Sequence, residues 1–234
     1  MAGLWAKPLA GNRASTRRRG TVFFAIFAVA VSLGCVRLGF WQLARLGERQ
    51  ARNAGVLARL EQEPARLEAL LGDTGVRFRR AWVHGRYDFD HELTWATRSR
   101  NGSPGVHLLT PLRFGGGDSA VLVDRGWIYS PDGMRVDFSL WREADSALVD
   151  GFIEEYTRGE GAVSTPSAPR AVRRLAFDSI AARVPYPLVP VVLVQRVDSG
   201  EAAAAAREIP VRAEPPPLDE GSHRNYAIQW FAFA

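Results

Sequence analysis

The stretch TVFFAIFAVAVSLGCV, residues 21–36, has no charged side chain and contains three phenylalanines. As an α-helix, sixteen residues rise about 24 Å, short of the ~30 Å hydrocarbon core of a bilayer. The apolar character resumes after Arg37 as LGFWQLARL, residues 38–46. Extending the helix to Trp41 supplies the missing length. Arg37 then lies near one end, where a long cation can snorkel, and Trp41 falls where interfacial aromatics collect.

The flank on the other side fits the same reading. Residues 1–20 hold Lys7, Arg13, Arg17, Arg18 and Arg19 and no acidic residue. A cleaved signal peptide would need a small-x-small site, and none precedes GFW. A lipoprotein signal would use Cys35, but Ser32 stands where such signals have Leu. The segment is therefore read as an uncleaved anchor with a cytoplasmic N-terminus and an exported remainder. The chain is formally +5 and the tail alone accounts for five cations, so the rest is balanced. A basic face for nucleic acid does not survive that subtraction. Cys35 is the single cysteine, which excludes an intramolecular disulfide, a C-x-x-C-H heme attachment and a zinc ribbon.

Beyond the anchor, Leu43, Leu46, Ala54, Leu57 and Leu60 keep a helical spacing that predicts an amphipathic stalk. Pro64 interrupts it, and PARLEALL (64–71) reads as a short helix stopped by Gly72. From Arg77 the pattern changes to strand. Candidates are 77–87, 91–98, 105–114, 119–129, 146–157 and 188–197, all β-branched or aromatic and bounded by Gly, Pro, Asp or Asn. RLAFDSIAARV (174–184) is the one helical interruption. The expected fold is membrane-anchored α+β, with an N-terminal transmembrane helix and stalk and a mostly antiparallel, barrel- or sandwich-like exported β domain. The start of a second transmembrane helix closes the chain. The divisions are a cytoplasmic tail over 1–20, the anchor over 21–43, the stalk over 44–76, the β domain over 77–213, a linker over 214–224, and the second helix from 225 to 234.

Several stretches together resemble the Surfeit locus protein one family. They are GFWQLARL after the anchor, GRY (85–87), TRSRNGSPGVHLLTPL (97–112), LVDRGWI (122–128), VDGFI (149–153) and the closing SHRNYAIQWFAFA (222–234). The resemblance implies a non-enzymatic assembly factor for heme-copper cytochrome c oxidase, assisting heme a delivery or insertion into the catalytic subunit. It implies heme a as a transient cofactor and the oxidase catalytic subunit as partner, with the heme a synthesis machinery a further candidate. The implied location is the bacterial inner (plasma) membrane, with the main domain on the periplasmic side. A His at the head of the second helix is implicated in heme binding, and that position matches His223. In the family the final apolar run crosses the membrane. Here Tyr226 to Ala234 make about 13 Å of helix, so the end is read as a truncated second span.

Four residues are the cofactor-binding candidates: His223 as a ligand to heme iron, Tyr226 and Trp230 as aromatic surface for the macrocycle, and Arg125 of DRGW as a propionate partner. The plainer alternatives stand beside these. His223 could be a polar flank, Tyr226 and Trp230 an interfacial belt, and Arg125 half of a structural ion pair with Asp124 near a packed Trp127. Two other functions compete with heme delivery. One is an exported scaffold without heme, which the sequence does not separate from the first reading. The other is a membrane-anchored metallohydrolase using Asp88, Asp90 and His91, for which no H-E-x-x-H or G-x-S-x-G motif completes the set. An acidic turn between two strands explains that cluster more simply.

Overall fold

The computed structural model describes residues 13–157, 167–196 and 209–234. The first twelve residues of the basic tail therefore lie outside it, as does Val197 at the end of the last expected strand. The chain divides into two compact units. One holds the chain up to Gly55 together with Leu218–Ala234, and the other is Val56–Pro217.

α1 (Arg13–Leu60), which belongs to the first unit as far as Gly55, is one unbroken helix through the expected anchor and into the expected stalk. It stops before Pro64, whose ring disfavours helical backbone at the preceding residue. It is long and apolar enough to cross a membrane, and its most apolar window has a mean hydropathy of 2.2 with 11% buried. Phe23, Phe24, Ile26, Phe27 and Leu33 are all more than half exposed. The less exposed positions of α1 recur at 32, 35, 36, 39, 42, 46, 49 and 53. That three-and-four spacing is one stripe along the helix. The stripe is covered by the segment from Asp219 and by α4 (His223–Ala232), as described below.

The second unit is built on a closed barrel of five strands. β2 (Arg80–Tyr87) pairs with β6 (Ser146–Glu155), β6 with β8 (Leu188–Gln195), β8 with β5 (Ser119–Tyr129), and β5 with β4 (Ser103–Phe114). The ring closes where β4 returns to β2 through Arg86↔Arg113 and Tyr87↔Leu112. β3 (Leu93–Arg100) continues the sheet from β4, and the two-residue strand β7 (Ala171–Val172) lies parallel to it. The short helix α3 (Phe177–Ala181) falls inside the predicted helical stretch. The expected short helix after Pro64 forms only as α2 (Leu67–Leu70). Ala65 and Arg66 become the two-residue strand β1, parallel to β2.

Most pairings are antiparallel, as the pattern predicts, but the β5–β8 seam is parallel. The two strands at that seam are buried on both faces, which is why their sequences read as nearly continuous apolar runs. Val121, Val123, Val191 and Leu193 point into the barrel with Ala81, Val83, Leu112 and Val149. Their neighbours Ala120, Leu122, Leu188 and Val192 point outward, into a second cluster with Leu93, Leu109, Leu175 and Ile180. One sheet therefore separates two cores.

Candidate functional site

α4 presents a residue every turn to α1. Ala227 is buried, and His223 and Trp230 are half-buried four residues before it and three after it. Close approach of the helices depends on Gly39, because a Cβ there would fall inside contact distance of the Phe231 ring. Phe231 also meets Phe40 edge-on, with ring centroids 5.3 Å apart. The entry to α4 is clamped by polar groups about three and four turns after Gly39 along the α1 stripe. Arg49 donates to the Asp219 carboxylate at 2.7 Å and to its carbonyl at 2.9 Å, and Asn53 donates to the same carbonyl at 2.9 Å. Gln50 donates to Glu220.

This clamp places His223 opposite Gln42, a residue only 9% exposed. The imidazole Nδ1 lies 2.9 Å from the Gln42 carbonyl oxygen. An amide oxygen is an acceptor only, so this contact is satisfied when Nδ1 is the donor, the tautomer that leaves the lone pair on Nε2. Among the described residues, nothing hydrogen-bonds Nε2. An imidazole with one nitrogen engaged and the other open is a nitrogen donor of the kind that would hold heme iron, so the residue fits the implied cofactor. Tyr226 is 47% exposed one turn after His223 and offers an accessible ring. Trp230 lies two turns after His223, is half-buried, and meets the Phe233 ring edge-on.

Arg125 belongs to the barrel unit. Leu108 pairs with Gly126 and Leu109 with Asp124, so Arg125 is an extra residue with no partner on β4, a β-bulge. Gly126 closes the bulge at φ 122°, a backbone conformation that L side chains rarely adopt. The bulge turns Arg125 inward, where it is fully buried. Its Nη1 donates to Glu92 at 2.5 Å, and Nε and Nη2 both donate to Glu143, at 3.0 and 2.6 Å. Nη1 also reaches Thr110, and Nη2 donates to the Trp141 carbonyl. Arg212 donates to the carbonyl of Arg125 and to Glu143, which makes a group of two cations and two carboxylates. Tyr87 and Phe89 present ring faces to the Arg125 guanidinium at 5.5 and 5.3 Å. Burial drives the Glu92 carboxyl up, against the pull of Arg125 and the Thr110 hydroxyl. Glu143 is also pushed up by burial, but Arg212 and then Arg125 outweigh that, and it sits below its ordinary value.

Asp124 is not the partner of Arg125. It takes the ring of His107, whose Nδ1 lies 2.8 Å from one carboxylate oxygen, and it also accepts from the backbone of Gly126. The Asp88 cluster is a turn cap. One Asp88 oxygen accepts from the backbone N–H groups of Asp90 and His91, and the other accepts from the Tyr186 hydroxyl at 2.7 Å and faces the His91 ring at 2.8 Å. Burial raises the Asp88 carboxyl, but the Tyr186 and His91 hydrogen bonds prevail and lower it overall. Among the described residues, no three His, Cys, Asp or Glu side chains are grouped to hold a metal ion.

Glu92, Glu143, Arg212 and Gln42 were not visible as site residues in the sequence. Only Gln42 left a trace there, as an amide between Trp41 and Leu43.

A family model described as the SURF1 family matches residues 29–234. A curated relative, a SURF1-like protein of Monosiga brevicollis, is 28% identical over 127 residues, which is 49% of this chain and 48% of the relative. The match thus spans about half the length of that relative. The family match extends over most of the chain, from inside α1 to the end of α4. The chain belongs to the SURF1 family.

Proposed function

We propose that the chain is a membrane-anchored, non-enzymatic assembly factor for a heme-copper cytochrome c oxidase, assisting delivery of heme a to the catalytic subunit. Family membership over residues 29–234 supports the assembly role. The length, apolarity and exposed phenylalanines of α1 support the anchor, because an exposed apolar face of that size is costly in water and favoured in a bilayer. Arg18 and Arg19 and the other cations of the tail support a cytoplasmic N-terminus, and with it the reading of a barrel on the periplasmic side of a bacterial inner membrane.

The observation that carries the heme reading is the state of His223. Its Nδ1 is engaged by Gln42, and among the described residues nothing hydrogen-bonds its Nε2 at the partly exposed head of α4. A bound heme would supply an iron that an imidazole nitrogen could ligate. His223 supplies that nitrogen, and Tyr226 supplies an exposed ring against which a flat apolar ligand packs. The α1 clamp on Asp219 keeps the head of α4 fixed, so the imidazole is held in place before any ligand arrives. Arg125, with its donors committed to Glu92, Glu143 and Trp141, holds the barrel end together. A propionate would have to displace one of those partners.

The test is titration of hemin into the full chain in detergent micelles, followed by absorbance. His223→Ala is expected to lose or shift the bound-heme band while protein yield is unchanged. His84, exposed on β2, is the control, and His84→Ala should leave the spectrum alone. An unaltered spectrum in His223→Ala rejects ligation by this residue and favours a scaffold that acts without heme.

A further inference from the structure

We infer that Gln42 is the positioning residue of the His223 imidazole, fixing its tautomer and aiming Nε2 at the ligand; this rests on the heme reading above. The geometry does not follow from helix packing alone. A long polar side chain at 9% exposure, on the stripe of α1 that faces α4, needs a partner to offset its desolvation. Its carbonyl oxygen finds one in Nδ1 of His223 at 2.9 Å. The two residues lie far apart in the chain and meet because three features of the same stripe act together. Gly39, one turn before Gln42, admits the Phe231 ring. Arg49 and Asn53, two and three turns after it, hold Asp219.

In a free imidazole the proton moves between the two nitrogens, and either tautomer is accessible. With the Gln42 oxygen beside Nδ1, the tautomer with the proton on Nε2 would bring a lone pair against a lone pair. The contact as it stands therefore favours the tautomer with the proton on Nδ1, which leaves the lone pair on Nε2. An acceptor on Nδ1 also raises the basicity of Nε2. A neutral amide does so weakly and a carboxylate strongly. The residue at position 42 thus sets both the orientation and the donor strength of the ligand nitrogen.

The test compares Gln42→Leu and Gln42→Glu with the unaltered chain and with His223→Ala. Each is the full chain in detergent micelles titrated with hemin, with helix content followed by far-UV circular dichroism. Gln42→Leu keeps the volume and removes the acceptor. Its hemin affinity is expected to fall about 10- to 100-fold, the usual effect of losing such a partner. Gln42→Glu keeps an acceptor and adds charge. It is expected to retain tight binding and to move the reduction potential of the bound heme to more negative values. Unchanged affinity in Gln42→Leu overturns the inference while leaving His223 as ligand. Equal loss in both variants, with no shift in potential, also overturns it, because that pattern is the loss of packing alone. If His223→Ala binds hemin as the unaltered chain does, the heme reading itself falls, and the inference with it.

Discussion

Replacing Arg125 with Met tests the buried charge group at the barrel bulge. The guanidinium is fully buried, its partner Glu92 is 1% exposed, and Glu143 is 20% exposed. Met fills much of the same volume, so the cavity contribution is small and the main effect is electrostatic. Arg212 still faces Glu143 after the substitution. Glu92 keeps the Thr110 hydroxyl and loses its ion-pair partner. Stranding one member of a buried pair costs about 3–5 kcal/mol. Against a typical domain stability of about 5–15 kcal/mol, that is a large share.

Glu92 can escape part of this cost by taking a proton. Burial already holds its carboxyl up, and losing Arg125 raises it further. A carboxyl whose folded value lies above its unfolded value leaves stability intact below the unfolded value. That stability is lost as the pH rises through the folded one. The penalty of Arg125→Met should therefore be larger at pH 7.5 than at pH 5. The double variant Arg125→Met with Glu92→Gln removes both charges, and it should recover part of the loss at pH 7.5. The measurement is urea unfolding of the full chain in micelles, read by near-ultraviolet circular dichroism. An unchanged midpoint in the single variant would refute the buried-pair reasoning, as would a double variant no more stable than the single one.

Two further substitutions probe the same barrel end. Glu143 sits below its ordinary value of 4.5, so its contribution is present above that value and lost as the pH falls through the depressed one. The stability difference between the unaltered chain and Glu143→Gln should thus shrink in unfolding curves below about pH 4.5, and a difference that grows on acidification contradicts the assignment. Gly126→Ala should lower the urea midpoint by the equivalent of about 2 kcal/mol or more, because its Cβ would meet the Val211 carbonyl and its φ is 122°. Gly115→Ala, at φ 58° with open space around it, should cost less, and equal losses would show that the collision with Val211 does not matter.

The barrel strands were legible because each is an apolar, β-branched run ended by turn residues. The run at 119–129 matches β5 to the residue. Gly126 of DRGW closes the bulge at Arg125. What the runs did not show was who pairs with whom. β5 and β8 lie side by side and parallel, although β6, β7 and α3 intervene in the chain, and nothing local in either strand records that neighbour. Arg66 makes the same point on a small scale. Its segment has helical residues, but pairing with Trp82 of β2 decides its conformation.

The charged group around Arg125 was hidden for a related reason. Asp124 is adjacent in sequence and looks like the natural partner. In a strand, however, neighbouring side chains point to opposite faces, so adjacent charges are poorly placed to pair. The bulge adds a residue and turns Arg125 inward, toward a carboxylate before β3 and another after the turn at 138–141. Gln42 and His223 follow the same logic on helices. Each is an ordinary polar residue in its own segment, and the fold gives them a joint role by bringing one α1 stripe against one face of α4. The chemistry of this chain therefore resides in pairings between distant segments, and motif matching finds one partner of each pair more readily than both.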